Sequence, residues 1–213
     1  MLKIFAILFL ALSLLSFKNA YAVKYNIFKF GYSRIESGSN SGNGGYVKYL
    51  VSFGKHSPYY WNVSFNDYVI NYSNFNDSNV NVYNAHLGIG RYFRVNRSDI
   101  VSVFGSVGYS YYGGLDFAPI DLGLRNNYMF DKHFSFQIGG NGIFAPFSHG
   151  VGNSDVTGYK LNTSLQYKIH RGIFLSLGYF YKQFVVNDTD FNDYGLKNNF
   201  SYSGISAGLG FYF

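Results

Sequence analysis

Apolar and polar residues alternate along most of the chain, in segments about ten residues long. Between Leu161 and Ile169 the odd positions are mainly apolar and the even positions are polar, and similar alternation recurs at 101–109, 134–138 and 173–179. Because successive side chains of an extended strand point to opposite faces, this pattern predicts strands with one apolar and one polar face. The chain is therefore predicted to be all-β.

Clusters of Gly, Ser, Asn and Asp divide the chain into ten predicted strands. These strands are 24–35, 46–54, 60–72, 80–93, 99–112, 120–130, 134–144, 159–169, 173–186 and 200–213. The short connections lie near 55–59, 94–98, 131–133 and 170–172, and the longer ones lie near 36–45, 73–79, 113–119, 145–158 and 187–199. Short turns at one end, longer loops at the other and an even number of strands are typical of a transmembrane β-barrel. We predict a closed antiparallel transmembrane β-barrel of 10 strands, with 8 strands as the alternative.

A soluble β-sandwich is the competing architecture, and both faces of the predicted strands argue against it. The apolar face carries aromatic residues at both strand ends, as two girdles at the membrane interfaces require. They are Trp61, Phe93, Phe130, Phe134, Tyr167 and Phe211 near the short turns and Tyr32, Tyr72, Tyr111, Phe144, Tyr159 and Tyr181 near the longer loops. The opposite face is too polar for a sandwich core, because buried amides and hydroxyls need partners. It includes Asn62, Asn84, Ser102, Gln137, Asn162 and Gln166.

The N-terminus has the pattern of a cleaved signal peptide. Lys3 is followed by an apolar run of about a dozen residues, which is shorter than the ~20 residues that a membrane-spanning helix needs. Ala20-Tyr21-Ala22 then places small residues at the two positions that a signal peptidase reads. We predict that residues 1–22 are a signal peptide and that 23–213 form one β-barrel domain.

The composition excludes several classes of function. The chain has no cysteine, which excludes disulfides and thiolate metal sites, and only 13% of its residues are charged against 22% aromatic. Such a mixture is untypical of disordered chains. The sequence contains no metal-binding cluster, phosphate-binding loop or cofactor motif. The formal net charge of +6 is modest, and an exported chain meets no nucleic acid. We therefore expect no metal, no cofactor and no nucleic-acid partner.

The last predicted strand carries the most specific signal. Ile205, Ala207, Leu209, Phe211 and Phe213 share one face, and the sequence ends on Phe213. An apolar alternating last strand that ends in phenylalanine resembles the assembly signal of Gram-negative outer-membrane barrels, with Leu209, Phe211 and Phe213 as its key residues. The chain looks like the small porin-like barrels that include opacity-type adhesins. This resemblance implies a bacterial outer-membrane location, insertion by the barrel assembly machinery, contact with lipid and lipopolysaccharide, and both termini on the periplasmic side.

The polar face of the predicted barrel has an excess of positive charge. Alternation places on it the lumen candidates Lys29, Lys48, His86, Asp121, Arg125, Lys160 and Lys182. Unpaired cations are very costly in a dry interior, so either water enters the barrel, or loop acids pair with the cations, or one or two lysines lie at strand ends in bulk water. A hydrated lumen lined by cations favours small anions. We predict a narrow porin-like channel for small solutes or ions.

Two other functions are considered. Exposed loops could bind a ligand on a host or neighbouring cell, which would make the chain an adhesin or structural surface protein, and the loop acids Asp188, Asp190 and Asp193 could bind a divalent cation. A hydrolase is the least expected function. Its best local candidate is Ser148-His149 with Asp155 nearby, but adjacent residues on a strand point in opposite directions. We expect no enzymatic activity.

Overall fold

The computed structural model describes residues 26–54, 57–72, 78–146, 148–149, 155–187 and 199–213, so the predicted signal peptide lies outside the described residues. Ten long strands are present: β1 (Ile27–Ser37), β2 (Asn40–Ser52), β3 (Tyr59–Tyr72), β4 (Ser78–Arg94), β5 (Asp99–Tyr112), β7 (Ile120–Met129), β8 (Phe134–Ala145), β10 (Asp155–His170), β11 (Ile173–Asn187) and β12 (Asn199–Tyr212). Two short strands are β6 (Leu115–Phe117) and β9 (Ser148–His149). Within these ranges no helix is long and apolar enough to cross a membrane.

The long strands pair antiparallel with their neighbours, and the sheet closes on itself. β1 pairs with β2 on one side and with β12 on the other, where Ile27 lies opposite Tyr212 and Glu36 lies opposite Ser203. From β1 the sheet runs through β2 and β3 to β4 on one side, and through β12, β11, β10, β8 and β7 to β5 on the other. The pairing of β4 with β5 closes this ring. The ten long strands therefore form a closed antiparallel barrel, which confirms the predicted fold and excludes the eight-strand alternative. Closure leaves these long strands without a free edge.

The first hairpin differs from the sequence prediction. Its richness in Gly, Ser and Asn predicts a loop over 36–45, whereas β1 and β2 run on to a two-residue turn at Gly38 and Ser39. Gly38 has a φ of 61°, as tight hairpin turns require. Gly42 and Gly44 lie within β2, where an added Cβ would overlap the backbone of β3. These glycines therefore mark a closely packed strand and not a loop.

Two of the predicted loops contain the short strands. β6 lies within the predicted loop 113–119, and β9 lies within the predicted loop 145–158. β6 pairs with the end of β5 and also with β9, where Asp116 lies opposite His149. The two connections therefore fold against each other at the end of the barrel opposite the short turns. We call this end the loop end and the other the turn end.

The outer surface of the barrel is an apolar belt. Large apolar side chains point outward in mid-strand and are about half exposed, among them Leu87, Val107, Leu122, Leu161, Leu165, Leu177 and Ile205. Of the predicted girdle residues, the exposed ones are Trp61, Phe130, Phe134 and Tyr167 at the turn end and Tyr32 and Tyr159 at the loop end. The others are partly buried, except Tyr72, whose side chain lies outside the described part of the structure. A continuous apolar belt on a closed barrel matches the hydrocarbon layer of a bilayer.

The inward side chains form three layers along the barrel axis. At the turn end Leu50, Tyr60, Tyr92 and Ile100 form an apolar group, the turn-end cluster. At the loop end a larger apolar group, the loop-end cluster, contains Ile35, Tyr68, Ile70, Val82, Tyr112, Leu115, Phe117, Ile143, Ala145, Val156, Phe180, Phe184, Val186 and Tyr202. Buried polar and charged side chains lie between these two clusters. The polar middle of the barrel therefore has an apolar layer on each side.

Close packing in the turn-end cluster makes Gly90 sensitive to substitution. A Cβ at Gly90 would overlap the ring of Tyr60, which is fully buried and stacks on Tyr92 with 4.2 Å between ring centroids. We expect Gly90→Ala to lower the free energy of unfolding by about 1–3 kcal/mol, the usual cost of overpacking. Urea unfolding in lipid vesicles measures the change. Gly142→Ala is the control, because no atom lies within 4 Å of its added Cβ. Equal midpoints for the two variants would contradict the packing argument.

Candidate functional site in the barrel interior

The polar middle of the barrel encloses a cavity of about 170 Å³, which we call the chamber. This volume is far above the ~10–15 Å³ that a single water molecule needs. The seven residues that the sequence assigns to the lumen all line the chamber: Lys29, Lys48, His86, Asp121, Arg125, Lys160 and Lys182. The fold therefore brings five cations, one acid and one histidine to a single space.

Four of the five cations form two cross-strand pairs of like charge. Lys29 on β1 lies opposite Lys48 on β2, and Lys160 on β10 lies opposite Lys182 on β11. Residues directly opposite on one face of a sheet have Cβ atoms ~4.5–5.5 Å apart, and like charges in this arrangement repel each other. Arg125 lines the same chamber as these two pairs. The register of the barrel thus concentrates positive charge.

Among the chamber cations that have no hydrogen-bond acceptor, Arg125 is the most deeply buried. Its side chain is 8% exposed, its guanidinium carbon lies 5.2 Å from the centroid of the Phe104 ring, and its Nε has no hydrogen-bond partner. Within the described ranges no carboxylate forms an ion pair with Arg125 or with any of the four lysines. A buried cation without a carboxylate needs water or an added anion beside it.

The inward acid, Asp121, is engaged by His86. Nδ1 of His86 lies 2.8 Å from Oδ2 of Asp121, and the Ser106 hydroxyl donates a hydrogen bond of 3.4 Å to the same oxygen. The carboxylate attracts Lys160 and Lys182 from a distance, without an ion-pair contact. Asp121 therefore offsets only part of the charge in the chamber.

Two of the lysines are held by neutral acceptors. Nζ of Lys182 donates to Oδ1 of Asn84 at 2.7 Å, and this oxygen also accepts a hydrogen bond of 3.0 Å from the Ser110 hydroxyl. Nζ of Lys29 donates to the Ser176 hydroxyl oxygen at 2.6 Å. These contacts fix the position of both ammonium groups but leave their charge in place.

Lys48 and Lys160 differ from the other two lysines. In the part of the chain that the structure describes, neither ammonium has a side-chain or backbone acceptor at hydrogen-bond distance, and Nζ of Lys160 lies 5.6 Å from the centroid of the Phe180 ring. Together with Arg125 they provide the donors that remain available in the chamber.

A second cavity, of about 250 Å³, lies between the chamber and the turn end, and we call it the vestibule. Its wall includes the exposed turn residues Asp131, Lys132 and His133, so it opens at that end. Arg125 and Gln137 line both cavities and mark the boundary between them. Arg125 therefore lies between the vestibule and the chamber.

Asp131 at the mouth of the vestibule is fixed by its own turn. Its Oδ1 accepts backbone hydrogen bonds from Phe134 at 2.7 Å and from His133 at 2.6 Å. These two bonds lower the pKa of the Asp131 carboxyl below its usual value, and the bond from Phe134 has the larger effect. The carboxylate is therefore ionised at neutral pH, and it lies at the solvent-exposed rim and not in the chamber.

The loop-end cluster closes the other side of the chamber. Phe117 on β6 packs against Phe184 with 5.4 Å between ring centroids, and its ring centroid lies 5.8 Å from Nζ of Lys182. Leu115 and Phe117 are 4% and 3% exposed although they belong to a connection between strands. Both residues fall in the predicted loop 113–119 and were therefore not expected in the interior. The signal that could have found them is the apolar pair on either side of Asp116.

The remaining sequence candidates lie away from the chamber. Ser148 is buried and His149 is exposed, so their side chains lie on opposite faces of β9, and Asp155 begins β10. Asp188, Asp190 and Asp193 lie outside the described residues. In the described ranges no group of three His, Asp or Glu side chains is placed to hold a metal ion.

The C-terminal residues close the barrel wall. On β12 Leu209 lies opposite Phe30 and Phe211 lies opposite Phe28, while the Phe213 ring stacks on Tyr49 of β2 with 5.9 Å between centroids. Leu209, Phe211 and Phe213 therefore belong to the seam at which the last strand meets the first. Their role as an assembly signal stays a prediction.

No protein-family model and no curated protein matches the chain. Among solved structures the barrel is similar to an outer membrane channel from Pseudomonas putida F1, with a TM-score of 0.53 and 7% identity over 92% of this chain and 98% of that chain. It is also similar to the outer membrane protease OmpT of Escherichia coli, with a TM-score of 0.45 and 10% identity over 89% of this chain and 94% of the protease. For the outer membrane protein OmpT of Vibrio cholerae the TM-score is 0.40 and the identity 12% over 88% of this chain, which spans only 64% of that protein.

At such low identities the likeness concerns the fold alone. The shared fold is a closed antiparallel barrel of the bacterial outer membrane. The apolar belt around this chain is the surface that such a location requires. The chain therefore has the fold and the apolar outer belt of a membrane-spanning β-barrel.

Proposed function

We propose that this barrel is a narrow pore for small anions and that the loop-end cluster holds it shut in the conformation described here. The observation that carries the proposal is the chamber, in which five cations face one acid already engaged by His86. Rings of cationic side chains give pores a preference for anions. The proposal includes no hydrolytic activity, since Ser148 and His149 lie on opposite faces of β9.

The two cavities define a route for the ion. It enters the vestibule at the turn end, passes between Arg125 and Gln137, and reaches the chamber beside Lys48 and Lys160. The last barrier is the loop-end cluster, which contains Phe117 from a strand connection. Apolar constrictions stop ions because water leaves them, and they open when the apolar side chains move apart. Conduction therefore requires a movement of the loop-end cluster.

Neutralising the chamber should reduce its preference for anions. In the double variant Lys48→Gln, Arg125→Gln we expect the ratio of chloride to potassium permeability to fall about tenfold or more. One cation at ~8 Å stabilises an anion by about 2 kcal/mol at an effective dielectric constant of ~20, and 1.4 kcal/mol corresponds to a factor of ten. The measurement is the reversal potential of single openings in a planar bilayer across a KCl gradient.

The matched control is Arg171→Gln, which removes one positive charge from an exposed turn that lines neither cavity. Its reversal potential should equal that of the parent. A parent current that favours potassium, or a double variant as anion-selective as the parent, would overturn the proposed pore.

A surface role for the loops is the second candidate function. The observation that favours it is the closed loop end, where β6 and β9 pair and the apolar cluster blocks the interior. A protein that acts only through its loops should remain electrically silent whatever is done to the loop-end cluster. Exchange of the outer loops would then remove binding to whole cells while the folded barrel persists.

A further inference from the structure

We infer that the chamber contains a binding seat for a small oxyanion of the phosphate or sulfate class, formed by Lys48, Arg125 and Lys160. This inference rests on the proposed pore and deepens it, because it names the kind of ion that the interior holds. It concerns binding at equilibrium and does not require the ion to cross the barrel.

The charges that line the chamber do not balance. Lys29 lies opposite Lys48, Lys160 lies opposite Lys182, and Arg125 lines the same chamber. The facing carboxylate is Asp121, whose Oδ2 contacts His86 and whose Oδ1 has no hydrogen-bond partner, and it supplies one negative charge among five cations. Charges of one sign in a confined interior need water or a counter-charge beside them, and the protein wall supplies too few acids. An anion in the chamber would provide the missing charge.

Several hydrogen-bond donors in the chamber have no acceptor. Nε of the buried Arg125 and the hydroxyl of Tyr46 have no hydrogen-bond partner, and both residues line the chamber. The ammonium groups of Lys48 and Lys160 have no acceptor at hydrogen-bond distance in the described ranges. A buried donor that makes no hydrogen bond costs about 1–3 kcal/mol, and more when it is charged. One ligand with several oxygen atoms could accept from all of these groups.

The chemistry of the donors favours an oxyanion over chloride. A guanidinium group presents two parallel N–H donors that match two oxygen atoms of a phosphate or carboxylate. The two lysines come from β2 and β10, on different sides of the Arg125 strand, so the ligand is approached from several directions. A tetrahedral ion with four oxygen atoms fits this arrangement better than a flat monocarboxylate with two. A lipid headgroup is excluded because the closed wall separates the chamber from the bilayer.

The test is a calorimetric titration of inorganic phosphate into the refolded chain in a zwitterionic detergent with chloride as the background salt. We expect saturable binding of one ion, competed by sulfate and not by acetate at equal concentration. In Lys48→Gln, Arg125→Gln the affinity should fall about tenfold or more, as loss of charged hydrogen bonds predicts. Lys160→Gln alone should also weaken binding. Arg171→Gln should bind like the parent.

The outcomes separate this inference from the proposed pore. Absence of saturable binding to a folded parent barrel, or binding that is unchanged in both chamber variants, would overturn the seat. Equal competition by acetate and sulfate would overturn the oxyanion class. A barrel that binds phosphate but never conducts supports the seat and refutes the pore. A barrel that conducts anions but does not bind phosphate supports the pore and refutes the seat. Because neutralisation relieves repulsion, both variants should fold, and circular dichroism checks that they do.

Discussion

Replacing Leu115 and Phe117 together by alanine is expected to turn a barrel that conducts rarely into one that conducts steadily. Both side chains come from β6, a three-residue strand in a connection, and both are buried in the loop-end cluster. Most of the barrel wall does not depend on them, since β5 and β7 pair directly with each other from Asp99 to Val107 and only the end of β5 pairs with β6. Their loss should therefore open the constriction without dissolving the barrel.

The size of the effect follows from core energetics. Truncation of a packed phenylalanine to alanine costs about 3–5 kcal/mol. If the truncation destabilises the closed conformation by only 1.4 kcal/mol more than the open one, the ratio of open to closed barrels rises tenfold. We therefore expect a time-averaged current at least about tenfold above the parent, measured in planar bilayers at fixed protein density. The new current should favour anions, because the chamber below the constriction is unchanged.

The control removes a phenylalanine that lies outside the route. Phe130→Ala changes a side chain that is 63% exposed at the turn end, so its current should match that of the parent. Phe117→Leu keeps an apolar side chain in the cluster and should stay mostly closed. If the double alanine variant folds and conducts no more than the parent, the loop-end cluster is not a gate and the surface role of the loops becomes the better hypothesis.

Much of the barrel follows from the sequence because the constraint is repeated in every strand. Inside and outside impose opposite demands on neighbouring residues, so the alternation at 161–169 already assigns each side chain to lumen or lipid. The same rule places Lys29 and Lys182 on the inner face without knowledge of any pairing. The face on which a side chain lies depends only on its own strand, so a single sequence is enough to predict it.

The parts that the sequence could not predict depend on pairing and on short segments. That Lys29 lies opposite Lys48 follows from the register of β1 with β2, which a turn of two residues sets, and the sequence pattern favours a long loop there. β6 has three residues, too few to show a period. That its apolar residues belong to the interior follows only from the pairing of β6 with β9 and from the contact of Phe117 with Phe184. Contacts between distant segments thus place Leu115 and Phe117 in the loop-end cluster.

The second large effect is expected for Leu177→Arg, which should prevent most of the chain from reaching the folded barrel. Leu177 points outward on β11, is 58% exposed, and lies opposite Leu165 of β10 and Ala207 of β12. In a bilayer this position faces acyl chains and not water. An arginine at the middle of the hydrocarbon layer costs a transmembrane barrel about 2–4 kcal/mol, which is a large part of the 5–15 kcal/mol that typically stabilises a folded protein.

The measurement is refolding into lipid vesicles, followed by the shift in electrophoretic mobility between folded and heat-unfolded barrel. Asn187→Arg is the matched control, because it adds the same charge to an exposed position at the loop end of the same strand, where the cost falls to about 0–1 kcal/mol. Leu177→Met tests for a packing effect and should fold like the parent. Since a water-facing position would accept arginine readily, equal folding of Leu177→Arg and Asn187→Arg would mean that this part of the belt does not face lipid, and the membrane-spanning orientation of β11 would have to be abandoned.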